Sequence, residues 1–162
     1  MGDFEMKREE VLNNIRDKFK EDIIDFFDKS SKRVYIEIKP ASLVKLVTYI
    51  FKTLGARFNI ASGTDLRFDI EILYHFTFEE LNLLISLRVN LKKPAPEIDS
   101  ITAIFKGANW IEREIHELLG VNFKGHSDLR RLLLPDNWPE GVYPLRQDYK
   151  EWDEKAIRDR GV

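Results

Sequence analysis

The sequence predicts an α+β fold: an antiparallel or mixed sheet with two helices on one face, followed by a helix and a long irregular C-terminal arm. Three observations predict it. The chain opens with segments of helical, alternating and again helical period, in that order. Residues 69–91 then read as two strand-like runs joined by a short connection, which is a hairpin pattern. Beyond Asn109–Leu119, about 43 residues follow with almost no regular period. At 162 residues the chain suits one structural unit, with an α+β domain over 1–95 and a helix plus extended docking arm over 96–162.

Each element has its own signal. Over residues 5–20, Val11, Leu12, Ile15 and Phe19 fall at helical spacing and predict a first amphipathic helix. Asp22–Phe27 is short and apolar, and Val34, Ile36 and Ile38 alternate with Tyr35 and Glu37, so one or two strands flank the SSK turn. Pro40 stands where a helix starts, Leu43, Val44, Val47, Ile50, Phe51 and Leu54 follow at helical spacing, and Gly55 supplies a left-handed stop. Arg57–Ala61 predicts a strand that leads into the turn-rich SGTD. In Asp69–Phe76, Ile70, Ile72, Tyr74 and Phe76 share one face against Glu71, Leu73 and His75, and Leu81–Leu91 returns beside it. The two prolines of KKPAPEIDS break strand and helix alike and mark a linker near 92–98.

Composition excludes several functions. With 43% apolar and 12% aromatic residues the chain can build a core, and with a net charge of −2 from 33% charged residues it lacks the positive excess of a general nucleic-acid binder. The absence of cysteine removes disulfides, thiolate metal sites and Fe–S ligation from this chain, and fits a reducing compartment. The charged N-terminus has no apolar signal region, Met6 stands where a myristoylation motif wants Ser or Thr, and no run of 18 apolar residues occurs, so a soluble, cytosolic chain is expected. No Gly-rich phosphate loop sits at any strand-to-helix junction.

The C-terminal third carries the open question. On the helix NWIEREIHELLG, Ile111, Ile115, Leu118 and Leu119 form an apolar stripe, with Glu112 and Glu114 at its two edges. Arg113 and Glu117 fall on the opposite face at i,i+4, and Glu112 is spaced to pair with His116. A stand-alone enzyme using Glu112, Glu114 and His126 is one alternative; yet the HE of His116-Glu117 lacks the second histidine of a zinc signature, since position 120 is Gly, and no nucleophile elbow occurs. A nucleic-acid module around Lys124, Arg130, Arg131 and Arg146 is weaker still, because Asp128, Asp136, Glu140, Asp148 and Glu151 are interleaved with them. The third option is docking. Phe123, Leu129, Leu132, Leu133, Leu134, Trp138, Val142, Tyr143, Leu145, Tyr149 and Trp152 supply large anchors, and prolines 135, 139 and 144 hold the backbone extended. Each anchor is worth roughly 1.5–3 kcal/mol when buried. The arm either wraps its own domain or grips a partner, and the residues alone leave both open.

The run GANWIEREIHELLGVNFKGHSDLRRLLLPDNWPEGVYPLRQDY resembles the signature region of the 30 kDa subunit of respiratory complex I, the NADH-quinone oxidoreductase of bacteria. Glu112, Arg113 and Glu114 match the family's Glu-Arg-Glu; Gly120, Gly125, His126, Asp128, Leu129, Arg130 and Arg131 match its central motif; Pro144, Leu145, Arg146, Asp148 and Tyr149 match its last. Glu117 stands where Asp is usual, Leu119 for Phe, Ser127 for Pro and Gln147 for Lys. The resemblance implies a non-catalytic peripheral-arm subunit with no cofactor of its own, the Fe–S clusters and the NiFe centre or quinone lying on partner subunits. It implies two partners, a large hydrogenase-like (49 kDa-type) subunit and a small Fe–S subunit, in a complex I-like dehydrogenase or a membrane-bound energy-converting [NiFe] hydrogenase. The PEGVYPLR wording looks more like the ferredoxin- or hydrogenase-linked branch. It further implies a peripheral place on the cytoplasmic side of the cell membrane, reached through the complex. The expected partner-binding residues are Glu112, Arg113, Glu114, Phe123, His126, Asp128, Arg130, Arg131, Trp138, Leu145, Arg146, Asp148 and Tyr149. Arg130, Arg131 and Arg146 are expected to pair with carboxylates, either on this chain, with Glu112 and Glu114 as candidates, or on the partner.

Overall fold

A computed structural model of the chain describes residues 7–150. The start of the predicted first helix and the anchor Trp152 lie outside the described residues. The elements run α1 (Arg8–Lys18), β1 (Ile23–Ser30), β2 (Arg33–Ile38), α2 (Leu43–Thr48), β3 (Arg57–Asp65), β4 (Asp69–Phe78), β5 (Leu83–Lys92), β6 (Glu97–Asp99), α3 (Ala108–Leu119) and β7 (Asn122–Lys124). The main sheet has five strands in the order β1-β2-β5-β4-β3. It is mixed: β2 runs parallel to β5 and every other neighbour is antiparallel.

The alternation read from β4 is what builds the core. Ile70, Ile72, Tyr74, Phe76 and Phe78 point to one face and stand directly opposite Leu91, Val89, Leu87, Ile85 and Leu83 of β5. Val34 and Ile36 of β2 extend the same layer beside Ile85 and Leu87. Val11, Leu12 and Ile15 of α1 and Leu43, Leu46 and Val47 of α2 join this core, as do Ala108, Ile115 and Leu119 of α3. The opposite face carries half-exposed Glu71, Leu73, His75, Arg88 and Asn90, as expected of a sheet covered on one side.

Three local expectations need correction. The helix expected from Pro40 to Leu54 is not uniform: it starts as a 3-10 turn (Pro40–Ser42), becomes α2, and widens to a π-turn over Tyr49–Thr53. In that wider turn Tyr49 packs edge-on against Phe19 at 5.3 Å and Phe51 against Phe105 at 5.4 Å. The SGTD segment is the second half of β3 and not a turn. Within KKPAPEIDS lies the three-residue strand β6, paired parallel to β7, both too short to leave a periodic signature.

Gly63 explains why SGTD reads as a turn yet forms a strand. A Cβ there would fall 2.5 Å from Leu119 Cδ1 and 3.4 Å from Ile115 Cγ2, so the missing side chain lets α3 settle on β3. Gly63→Val is therefore expected to destabilise the chain by about 2 kcal/mol through overpacking, read as a lower urea midpoint at unchanged slope.

Candidate docking site

The helix α3 is the base of the site. It ends at Gly120, whose φ of 74° and N–H bond to the His116 carbonyl (2.9 Å) make a left-handed cap. A Cβ at Gly120 would lie 2.5 Å from the Tyr143 ring and 2.8 Å from an Arg146 guanidinium nitrogen. The arm thus crosses the helix end at van der Waals distance. There the Leu145 N–H donates to the Leu118 carbonyl (3.1 Å) and Arg146 Nε to the Leu119 carbonyl (2.7 Å). The guanidinium, stacked 4.6 Å over Tyr143, places a cation on the negative end of the helix dipole.

On the face opposite the apolar stripe, Arg113 and Glu117 are each 7% exposed. They do not pair with each other. Arg113 donates from Nε to the Arg130 carbonyl (2.9 Å) and from Nη2 to the Arg131 carbonyl (2.6 Å). The Glu117 carboxylate accepts the next three N–H groups in line, those of Leu132 (3.2 Å), Leu133 (2.9 Å) and Leu134 (2.8 Å). The i,i+4 spacing therefore holds one continuous strip of arm backbone, cation on carbonyls and carboxylate on amides.

Of the three arginines expected to pair with carboxylates, Arg130 does so within this chain, whereas Arg131 and Arg146 bond backbone carbonyls. Arg131 turns into the arm and donates to the carbonyls of Pro135 (2.7 Å), Asp136 (2.8 Å) and Trp138, closing the PDNW turn. Arg130 is exposed and pairs with Asp128 at 3.0 Å. Trp138 donates its indole N–H to the Val142 carbonyl (2.9 Å) and stacks on Tyr149 at 6.2 Å. Asp148 is exposed. Arg131 and Arg146 share a physical reason: an arm without regular structure and a helix end both leave carbonyls unsatisfied, and the nearest donors meet them first.

The far end of the arm is tied to the sheet. Asp65, at the tip of β3, accepts the Gln147 N–H (2.7 Å) and the Lys93 ammonium (2.8 Å), while its carbonyl accepts the Gln147 side-chain amide (2.7 Å). Burial pushes the Asp65 carboxyl up, but Lys93 and Gln147 outweigh it and leave the group below its ordinary pKa. No sequence signal linked these residues, which stand 82 positions apart.

Glu112 is completely buried. Its Oε2 accepts the Ser100 hydroxyl and its Oε1 the Ile101 N–H (2.8 Å), in place of the expected pairing with His116, whose Nδ1 lies 2.8 Å from the Val121 carbonyl. His126, also buried as a side chain, has Nε2 4.0 Å from Glu112 Oε2. Because His126 Nδ1 accepts the Asp128 N–H (3.0 Å), its proton sits on Nε2, facing the Asn109 carbonyl at 3.2 Å. Burial raises the Glu112 pKa from 4.5 to about 7 against the pull of Ser100 and Ile101. The hydroxyl of Tyr74, fully buried and pushed well up in pKa by burial and then by Glu112, has no hydrogen-bond partner among the described residues.

Of the residues expected to meet a partner, Glu112, Arg113 and Phe123 are buried within this chain, Arg113 on the backbone of the arm and Glu112 on Ser100 and Ile101. Exposed Leu145 and Arg130, with half-exposed Glu114, look outward. The structure unites Glu112 with His126, but Glu114 lines a separate open groove, so the three groups of the enzymatic alternative do not converge. Among the described residues no three His, Asp or Glu side chains are grouped to hold a metal ion, and no helix is long and apolar enough to cross a membrane.

Comparison with known proteins points the same way as the motif. Residues 36–155 match the family model described as respiratory-chain NADH dehydrogenase, 30 kDa subunit. The chain is 30% identical over 152 residues to a subunit of the F420H2 dehydrogenase of Methanosarcina mazei, covering 92% of this chain and 96% of that protein. It is 30% identical over 161 residues to the beta subunit of the membrane-bound hydrogenase of Pyrococcus furiosus, covering 96% and 93%. In fold it resembles a chain of the membrane-bound sulfane sulfur reductase, an archaeal respiratory membrane complex, with a TM-score of 0.77 at 19% identity over 94% of this chain and 90% of that one.

Proposed function

The chain belongs to the respiratory-chain NADH dehydrogenase 30 kDa subunit family, and from that premise we propose that it is a non-catalytic subunit that docks on and stabilises the large catalytic subunit of a membrane-associated redox complex. The complex is of the complex I-like or membrane-bound hydrogenase type, in keeping with the relatives' names. One observation carries the docking role. Arg113 and Glu117, both nearly buried, hold only the backbone of residues 130–134, which leaves side chains such as Arg130 and Leu133 outside. A segment fixed by its backbone presents side chains at low entropic cost, which is what a permanent interface requires.

In this reading the electron carriers, Fe–S clusters with a NiFe centre or quinone, belong to the large subunit and a small Fe–S subunit. The chain lies peripherally on the cytoplasmic side and meets the membrane only through them. The test is purification from native membranes. The chain should co-purify with both subunits, and a chain that runs alone as a monomer sinks the proposal. Arg130→Glu combined with Leu145→Glu, both at exposed positions, is expected to cut co-purification at least tenfold while the free chain melts at an unchanged temperature.

A further inference from the structure

Between α3, the start of β3 and the Leu132–Leu133 stretch of the arm lies an open groove of about 500 Å3. Phe58, Phe105 and Ile111 line it together with Trp110, Leu133 and Ile60, which are 70%, 61% and 50% exposed. Those three belong to only nine large apolar side chains left exposed among the described residues, so a third of that exposed set meets at one concavity. Clusters of this kind mark binding surfaces, and tryptophan is among the residues that most often anchor them.

The groove also has a charge preference. Glu114 is the one charged residue in its lining, and its carboxylate has no hydrogen bond or ion pair among the described residues. A two-fold contact with a second copy, centred here, would bring two Glu114 carboxylates together with no cation from the lining to separate them. An anionic lipid or nucleic acid meets the same repulsion. A protein segment with adjacent apolar side chains and one Arg or Lys satisfies both features, its apolar groups filling the groove and its cation reaching Glu114.

We propose that this groove seats an apolar segment bearing one arginine or lysine, contributed by a partner subunit, so that the interface extends past the arm onto the folded body. The proposal rests on the assembly role above. A photo-reactive benzoylphenylalanine at position Trp110, in the native complex, should cross-link to a partner peptide of that composition. Trp110→Ala and Glu114→Lys should each weaken association at least tenfold, and Glu114→Gln less, whereas Phe68→Ala, exposed but outside the groove, should leave it unchanged. The melting temperature of the free chain should not move in any of them, because Trp110 is exposed and Glu114 is unpaired among the described residues. Cross-links confined to lipid, to a second copy or to a partner peptide without a basic residue overturn the groove proposal. If the wild-type chain associates but tolerates Trp110→Ala and Glu114→Lys, the groove fails and the assembly role stands. If the wild-type chain brings down no partner, both fail.

Discussion

Replacing Glu117 by alanine is expected to release the arm from α3 and to abolish the proposed assembly with a large subunit, although the sheet stays folded. The carboxylate accepts the N–H groups of Leu132, Leu133 and Leu134 from a position 7% exposed. A hydrogen bond to a charged group is worth about 1.5–3 kcal/mol, and the three share one acceptor and do not add, so a local loss of about 3–5 kcal/mol is expected. Fixing the backbone of each residue costs about 1–2 kcal/mol, so without that offset the strip 130–134 no longer stays ordered on the helix. Amide exchange at residues 132–134 should quicken by about two orders of magnitude or more, while amides of β4 and β5 hold their protection. Glu117→Gln keeps one acceptor oxygen and should fall between. Unchanged exchange at Leu132–Leu134 in the alanine variant would remove the clamp from the account.

The clamp also marks the limit of what the residues disclose. β4 was legible because Ile70, Ile72, Tyr74 and Phe76 alternate with Glu71, Leu73 and His75, and that period follows directly from strand geometry. α3 was legible as a helix for the same kind of reason. Its polar face was misleading: Arg113 and Glu117 at i,i+4 look like a solvated pair, and what buries them is the backbone of residues 130–134. Every residue carries the same backbone groups, so a site made for them leaves no mark on the segment it holds. Asp65 and Gln147 illustrate a second limit, because their contact depends on the path of the arm over 82 positions and not on any local pattern. The three-residue β6 and β7 fall below the length at which a period exists. The motif resemblance, carried by residues 107–149 within the 36–155 that match the family model, does not say which of its side chains turn inward.

Glu112 should give the chain a pH dependence opposite to that of most carboxylates. Its pKa rises from 4.5 to about 7 because burial disfavours the charged form more than Ser100 and Ile101 favour it. The folded state therefore holds a proton that the unfolded state has released between those two values. The stabilisation is fully present below pH 4.5, declines as pH rises, and is lost above about 7, a difference of roughly 3 kcal/mol. Asp65, held below its ordinary pKa, acts in the reverse sense at the acid end, contributing stability that is lost as pH falls through its folded value. The two are separable by substitution. Glutamine at 112 reproduces the protonated acid, its carbonyl accepting the Ile101 N–H and its amide donating to the Ser100 hydroxyl. Glu112→Gln should match the wild type near pH 4 and exceed it by roughly 3 kcal/mol at pH 8 in urea unfolding. Glu112→Ala leaves the buried Ile101 N–H without an acceptor and should lose about 1–3 kcal/mol even at pH 4. A wild-type-minus-glutamine difference that stays flat from pH 4 to 8 would show that folding leaves the Glu112 pKa at its ordinary 4.5.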